Sequence, residues 1–324
     1  MRVMRSTKRD RSKPEHDSSV EFALFGAMMR DKLPELAWIS LAVIWGSTFI
    51  FMKWATAYIS PLQLVFARVI LGLLPVMVYA TYKRQLRIAD LRHAHHFLAM
   101  ALLAGSVYFY GFACGVSLLP SGIAGALSAA IPLFAMVAAL IFLPKEKLTR
   151  KRATGLLIGA GGVVLIAHPI DPVISNTSLH GVFWMLAGCF SLGVSFVYAK
   201  KFLVPLGIPV AAMTTYQLGI ATVLMAFFTD FDGIDAILVD ARATAGLTVG
   251  LGVFATGIAY LIYYYIVERL GAVRASSVTY LSPVIAIFIG AVIAGESIGM
   301  LDYLATAVIF TGVVLVNQEQ RKSE

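Results

Sequence analysis

The sequence predicts an all-α polytopic membrane protein, with ten transmembrane helices forming two inverted five-helix repeats. Three observations carry this. Ten long apolar stretches run from about Leu36 to Asn317, Lys and Arg fall almost wholly in alternate gaps between them, and landmarks of the first half recur in the second. Composition agrees: 59% of residues are hydrophobic and 14% charged, and the mean hydropathy is +0.82. A soluble domain of this length is far less apolar.

The stretches are 36–56, 62–82, 97–118, 122–143, 153–168, 181–201, 208–229, 245–267, 272–294 and 301–317. Segments of about 17–23 residues suffice for a helix to cross roughly 30 Å of hydrocarbon. Backbone polar groups have no water to bond in a bilayer, so helices are the expected solution. Barrel strands would be shorter and alternating.

The basic residues set the orientation. The leading tail holds Arg2, Arg5, Lys8, Arg9, Arg11, Lys13, Arg30 and Lys32. Lys83, Arg84, Arg87 and Arg92 follow the second stretch, and Lys145, Lys147, Arg150, Lys151 and Arg152 follow the fourth. Later even gaps hold Lys200, Lys201, Arg269 and Arg274, and the trailing tail holds Arg321 and Lys322. The odd gaps hold only Arg242. This pattern puts both termini in the cytoplasm of a bacterial cell, with the chain in its inner (plasma) membrane. The net charge of +8 therefore points to anionic headgroups of the lipid bilayer, and not to nucleic acid.

The ends are polar. Met1–Asp17 is charged and poor in large apolar groups, so it reads as disordered. Val20–Met29 is too short to span and reads as a surface helix or a lead-in. The first apolar stretch begins near Leu36 and is long enough to stay as a span, so no cleavable signal is evident.

Taken in order, the spans carry few polar groups. The first holds Trp45, Ser47, Thr48 and Lys53, and the second holds Arg68, seven residues past Pro61. Lys53 and Arg68 are the basic residues well inside apolar stretches, and no Asp or Glu lies mid-span. Ionisable groups in a bilayer face the bundle interior or water, or snorkel to the headgroups from near a helix end; both readings apply to Arg68, and snorkelling suits Lys53. The third span has Ser106 and Tyr110, and Pro120-Ser121 joins it to the fourth, making these antiparallel neighbours. The fourth has Ser128 and Pro132 and runs on to Glu146. Gly155, Gly159 and Gly162 give the fifth a small-residue face for close helix packing or a homodimer contact. The sixth has Ser191, Ser195 and Tyr198, the seventh Tyr216-Gln217, and the eighth Thr256, Tyr260 and Tyr264 on one face. The ninth has Ser276, Tyr280 and Pro283 and runs on to Glu296. Most of these hydroxyls are expected to be helix–helix hydrogen-bonding groups. Gathered around a cavity, they would suit a small amphipathic molecule.

The chain repeats itself. Pro132 and Pro283 lie 151 residues apart, and Glu146 and Glu296 lie 150 apart. Gly162-Val163-Val164-Leu165 recurs as Gly312-Val313-Val314-Leu315. Gly46, Phe49 and Lys53 match Gly193, Phe196 and Lys200 at 147, and Pro61 matches Pro209 at 148. Five spans is an odd number, so the second copy lies inverted, as in alternating-access transporters. The division is a basic tail over 1–34, repeats over 35–168 and 169–317, and a tail over 318–324. Each proline removes a helical hydrogen bond, at the carbonyls of Ser128 and Thr279, and marks a hinge or a packed kink.

Over 35–317 the chain resembles the drug/metabolite transporter superfamily, EamA type. The resemblance rests on Trp45-Gly46-Ser47-Thr48-Phe49, Ala67-Arg68, Ser128-Ala129-Ala130-Ile131-Pro132 with Glu146, Tyr216-Gln217, and Tyr280-Leu281-Ser282-Pro283 with Glu296. It implies ten helices in a basket, spans one to four and six to nine around a central cavity, and export of a metabolite. The candidate substrate pathway comprises Trp45, Ser47, Thr48, Arg68, Tyr110, Ser128, Tyr216, Gln217, Tyr260 and Tyr280, with Pro132 and Pro283 as hinges.

Other chemistry lacks a signal. Cys114 and Cys189 lie in apolar stretches and read as free buried thiols. His93, His95 and His96 sit in a basic loop without the ligand spacing of a zinc site. No phosphate-binding loop and no triad of nucleophile, base and acid stands out, so neither a cofactor nor an enzyme is expected. An importer of the same architecture, a channel and a lipid-acting membrane enzyme are the rival readings. The loop carrying Asp230, Asp232, Asp235 and Asp240 reads as solvated.

Overall fold

The computed structural model describes residues 18–143, 148–167, 176–270 and 278–323, with side chains throughout except at 18–31, 167, 176–178, 264 and 317–323. The described residues contain helices and no strand. The first helix, α1, is Ser18–Ala55. It takes in the short apolar segment 20–29 as a helical lead-in. Then come α2, Pro61–Tyr82, α3, Ile88–Leu118, and α4, Ser121–Phe142. Helix α5 is Arg150–Ala167, α6 is Asn176–Tyr198, and α7 is Val210–Phe228. Helix α8 is Ala241–Leu270, α9 is Val278–Val292, and α10 is Met300–Ser323.

Seven segments are long and apolar enough to cross a bilayer: Lys32–Ala55 within α1, α2, α3, α4, Leu179–Leu206, α7 and α8. Val278–Val292 and Met300–Val316 are shorter apolar helices. The lipid-facing surface is apolar, with Phe227 85% exposed and Leu157 76% exposed. A soluble protein does not leave such surface in water. This is a multi-span membrane protein.

Local chemistry sets the helix starts. Ser60 caps α2 by accepting the Gln63 N–H, while the Gln63 side chain accepts from the Ser60 N–H; Pro61 takes a first-turn position whose missing N–H costs nothing. Asp240 caps α8 by accepting the N–H groups of Arg242 and Ala243. The Ala243 N–H, aided by the Tyr58 hydroxyl and by Arg242, holds the Asp240 carboxyl below its ordinary range. Gly207, at φ 64°, makes the left-handed turn that ends the extension of α6 before Pro209.

The acidic loop is docked, where the sequence reads as solvated. Gln63 Nε2 donates to the carbonyls of Asp230 and Asp232, both at 2.9 Å, and Phe231 packs edge-on against Phe66. The Asp carboxylates face water while their backbone lies over the start of α2.

Glycines bring the helices together in matched pairs. A Cβ on Gly46 of α1 would lie 2.6 Å from Ile285 of α9, and one on Gly193 of α6 would lie 2.7 Å from Ala135 N of α4. A Cβ on Gly72 of α2 would lie 3.2 Å from the Gly252 carbonyl of α8, and one on Gly105 of α3 would lie 3.1 Å from Ala221 of α7. The face of Gly155, Gly159 and Gly162 packs within the chain, against Ile309 and Gly312 of α10. There a Cβ on Gly312 would strike the backbone of Gly155 and Gly159. Gly312→Val is therefore expected to cost about 3 kcal/mol, because backbone cannot rotate aside. Gly161→Val, with nothing within 4 Å, is the near-neutral control, and melting temperatures in detergent compare the two.

Candidate functional site

Arg68 is a cation seated deep among the packed helices around it. It is 4% exposed. The close approach of α2 and α8 brings Thr256 beside it: Arg68 Nε donates to Thr256 Oγ1 at 2.9 Å. Thr256 Oγ1 in turn donates to the Leu251 carbonyl at 2.9 Å, five residues back. That five-residue reach belongs to the π-helical stretch Gly246–Ile258 of α8, a widened geometry frequently found at functional sites. The guanidinium lies over the Phe109 ring at 4.0 Å, and its NH1 lies 3.6 Å from Met52 Sδ. Tyr108 and Tyr260 are close enough to interact electrostatically with it. No carboxylate pairs with Arg68 among the described residues. A planar cation with five donors, held by a hydroxyl, a ring and a thioether, is left to complement an anionic group. Snorkelling is not its geometry, since it points into the bundle.

The other sequence-derived pathway residues divide. Tyr260 joins Arg68. Trp45 packs against Tyr263 with ring centroids 6.0 Å apart, and Tyr280 packs beside the main core on α9. Thr48 donates to the Trp45 carbonyl, and Ser128 to the Gly125 carbonyl. Ser47 donates to the Val43 and Ile44 carbonyls and lines a groove between α1 and α8. Tyr110 packs edge-on against Trp184, at the α3–α6 contact. Gln217 is buried on α7. Tyr216 stacks on Phe97, and its hydroxyl accepts from the Arg87 N–H and donates to the Arg87 carbonyl, so it pins the α2–α3 connection. Met52, Phe109 and Tyr108 belong to the site and were not singled out from sequence; nothing in their local spacing marks them.

The two prolines behave differently. The helix α4 tightens into a 3₁₀ turn over Ser128–Ala130, and the Ile131 N–H bonds to the Ser128 carbonyl. The expectation of a free carbonyl at Ser128 is corrected: tightening the turn supplies the donor that Pro132 lacks. Pro283 lies inside α9, which runs through it.

A second polar cluster sits where α3 turns into α4. Lys53 Nζ donates to the carbonyls of Val116 at 3.1 Å, Ser117 at 3.4 Å and Leu119 at 2.8 Å. Glu296, beyond the end of α9, accepts the Ser121 N–H at 2.6 Å and the Gly122 N–H at 2.9 Å. A cation on the orphan carbonyls of one helix end and a carboxylate on the orphan N–H groups of the next match both helix dipoles. Beneath them, a Cβ on Gly290 would lie 2.9 Å from Gly122 Cα, so α4 and α9 touch backbone to backbone. Lys53 is thus a helix cap and not a snorkelling residue. Glu146, its neighbours 144–147 and Ser276 lie outside the described residues, as does the side chain of Tyr264. Of the histidines, His96 shares a 2.7 Å hydrogen bond with Tyr198, and Arg92 donates to His93.

A bundle of apolar helices with the Arg68 guanidinium buried inside it, and no carboxylate paired with it among the described residues, defines a polytopic membrane protein with an interior polar site. The EamA-like transporter family matches it over residues 33–168 and 179–318, and the chain belongs to that family. It is similar to an uncharacterized transporter of Archaeoglobus fulgidus, 24% identical over 86% of this chain and 98% of that protein. It is also similar to the uncharacterized inner membrane transporter YedA of Escherichia coli strain K12, 25% identical over 90% of both chains. A solved crystal structure shares the fold with a TM-score of 0.58 at 20% identity, covering 90% of this chain and 99% of that one.

Proposed function

We propose that the protein is a secondary transporter of the bacterial inner membrane, exporting a small polar or amphipathic metabolite with an anionic group by alternating access. The observation that carries this is Arg68: a charge is costly in the membrane interior and is kept there where it meets substrate or ion. In this reading the chain forms ten spans in two inverted five-helix repeats, 35–168 and 169–317, with both termini cytoplasmic.

The matched glycine contacts support the repeats. Gly46 and Gly193 are 147 apart in sequence, and their nearest contacts, Ile285 and Ala135, are 150 apart. Gly72 and Ala221 are 149 apart, and their contacts, Gly252 and Gly105, are 147 apart. The contact of α1 with α9 is thereby the counterpart of that of α6 with α4. Two bundles built on the same contacts have two nearly equivalent ways to pack, which is what alternating access requires. In the same reading Lys53 and Glu296 form the latch of one gate.

Comparison of extracellular metabolites from cells overproducing the protein and cells overproducing Arg68→Met tests the function. The expected result is external accumulation of one or a few small carboxylates or phosphates with the native chain alone. Identical profiles would remove the proposal.

A further inference from the structure

A groove of about 490 Å³ runs between α1 and α8, separate from the Arg68 site. Val43, Ser47 and Phe51 line it from α1, and Val249 and Phe254 from α8, with Arg242 at one end. Its base is the Phe51 ring laid on a glycine strip, where a Cβ on Gly250 would lie 2.6 Å from the ring. Ser47 turns its hydroxyl to its own helix, so the wall it presents is apolar. Val43, Val249 and Phe254 are exposed; the groove opens sideways, toward lipid.

Its dimensions match one leaflet. Val43 to Trp54, which also lines it, is eleven residues, or about 16 Å at 1.5 Å per residue. Half of a hydrocarbon core of roughly 30 Å is about 15 Å. The Arg242 end lies beside the Asp240 cap, where α8 begins. Arg242 is exposed, and among the described residues no hydrogen bond or ion pair engages its guanidinium. Asp240 feels the Arg242 charge, but its hydrogen bonds go elsewhere: the N–H groups of Arg242 and Ala243 on one oxygen and the Tyr58 hydroxyl on the other. Arg242 is also the sole basic residue in the odd gaps.

We propose that this groove is a binding site for one anionic phospholipid, with an acyl chain along the Phe51–Gly250 floor and the phosphate on Arg242. The charge complementarity is specific: a planar guanidinium binds a phosphate bidentately, while the apolar length below it takes only a chain. A second copy of the protein would cover the apolar wall but bring no phosphate to Arg242. The proposal requires the membrane-spanning fold and no particular direction of transport.

The test is lipid retention by the full-length protein, read by native mass spectrometry after exchange into equal phosphatidylglycerol and phosphatidylcholine with identical acyl chains. One retained phosphatidylglycerol is expected. Arg242→Gln should lower its preference over phosphatidylcholine about tenfold, the scale of one hydrogen bond to a charged group. Val249→Trp, which fills the groove from its open side, should lower retention of both lipids; melting temperature reports whether either variant still folds, and Arg242→Lys should keep part of the preference. Equal retention in native, Arg242→Gln and Val249→Trp proteins overturns the site. So does a dimer that Val249→Trp dissociates, because the groove would then be covered by a second copy.

Discussion

Arg68→Met is expected to reduce transport of an anionic substrate by at least about tenfold while leaving the folded protein as stable as before or more so. The guanidinium is buried against Thr256, Phe109 and Met52, with no carboxylate paired to it among the described residues. A charge-assisted hydrogen bond to substrate contributes about 1.5–3 kcal/mol, which sets the lower bound on the loss. In contrast, a buried charge without an ion partner contributes desolvation cost to the resting fold, and an apolar side chain of similar length removes it. The opposed signs distinguish function from structure. Arg68→Lys should restore part of the rate, since it keeps the charge without the planar fork. Transport into proteoliposomes and melting in detergent are the two readouts. A variant that unfolds, or that transports at the native rate, would return Arg68 to a packing role.

The second large effect is expected at Glu296. Its two oxygens hold the Ser121 and Gly122 N–H groups at 2.6 and 2.9 Å, and each such bond is worth about 1.5–3 kcal/mol. Glu296→Ala removes both. Moving a two-state equilibrium from 1:99 to 99:1 takes about 5.5 kcal/mol, so this loss is enough to shift the gate population by at least about tenfold. A Cys probe at Ser128, which is buried on α4 behind the contact, reads the shift on a background lacking Cys114 and Cys189. Labelling by a membrane-impermeant thiol reagent should rise in Glu296→Ala, and to a smaller extent in Lys53→Met. Unchanged labelling with unchanged transport would make the cluster a static pair of helix caps. Restoration of native labelling by Glu296→Asp, which keeps the charge, separates latch loss from misfolding.

How much of this was legible in the chain follows the distance between partners. The start of α2 was readable because its cap lies within Ser60–Gln63. The depth of Arg68 in an apolar stretch left interior and headgroup placement both open, and the packing of α2 against α8 decides for the interior. What Arg68 meets was not readable, because Thr256 is 188 residues away and Phe109 looks like any core aromatic. Lys53 and Glu296 looked like end-of-helix charges because their partners are backbone groups 63–66 and 174–175 residues distant; backbone atoms leave no mark in the residue types. Tyr110 and Tyr216 had the composition of a pathway and serve as packing and as a loop pin. Proline signalled a break at both positions, but the 3₁₀ repair at Ser128 depended on how the neighbouring turn closed.

The shortness of the Pro120-Ser121 link has a mechanical consequence. With the end of α3 tied to Lys53 and the start of α4 tied to Glu296, only Leu119 and Pro120 separate two anchored helix ends. Such a connection has no slack to absorb displacement of one helix alone. In the proposed cycle the two would move as one stiff unit, carrying Phe109 on the same arm. Because that ring lies over Arg68, the proposed transport would couple the state of the link to substrate occupancy of the buried cation.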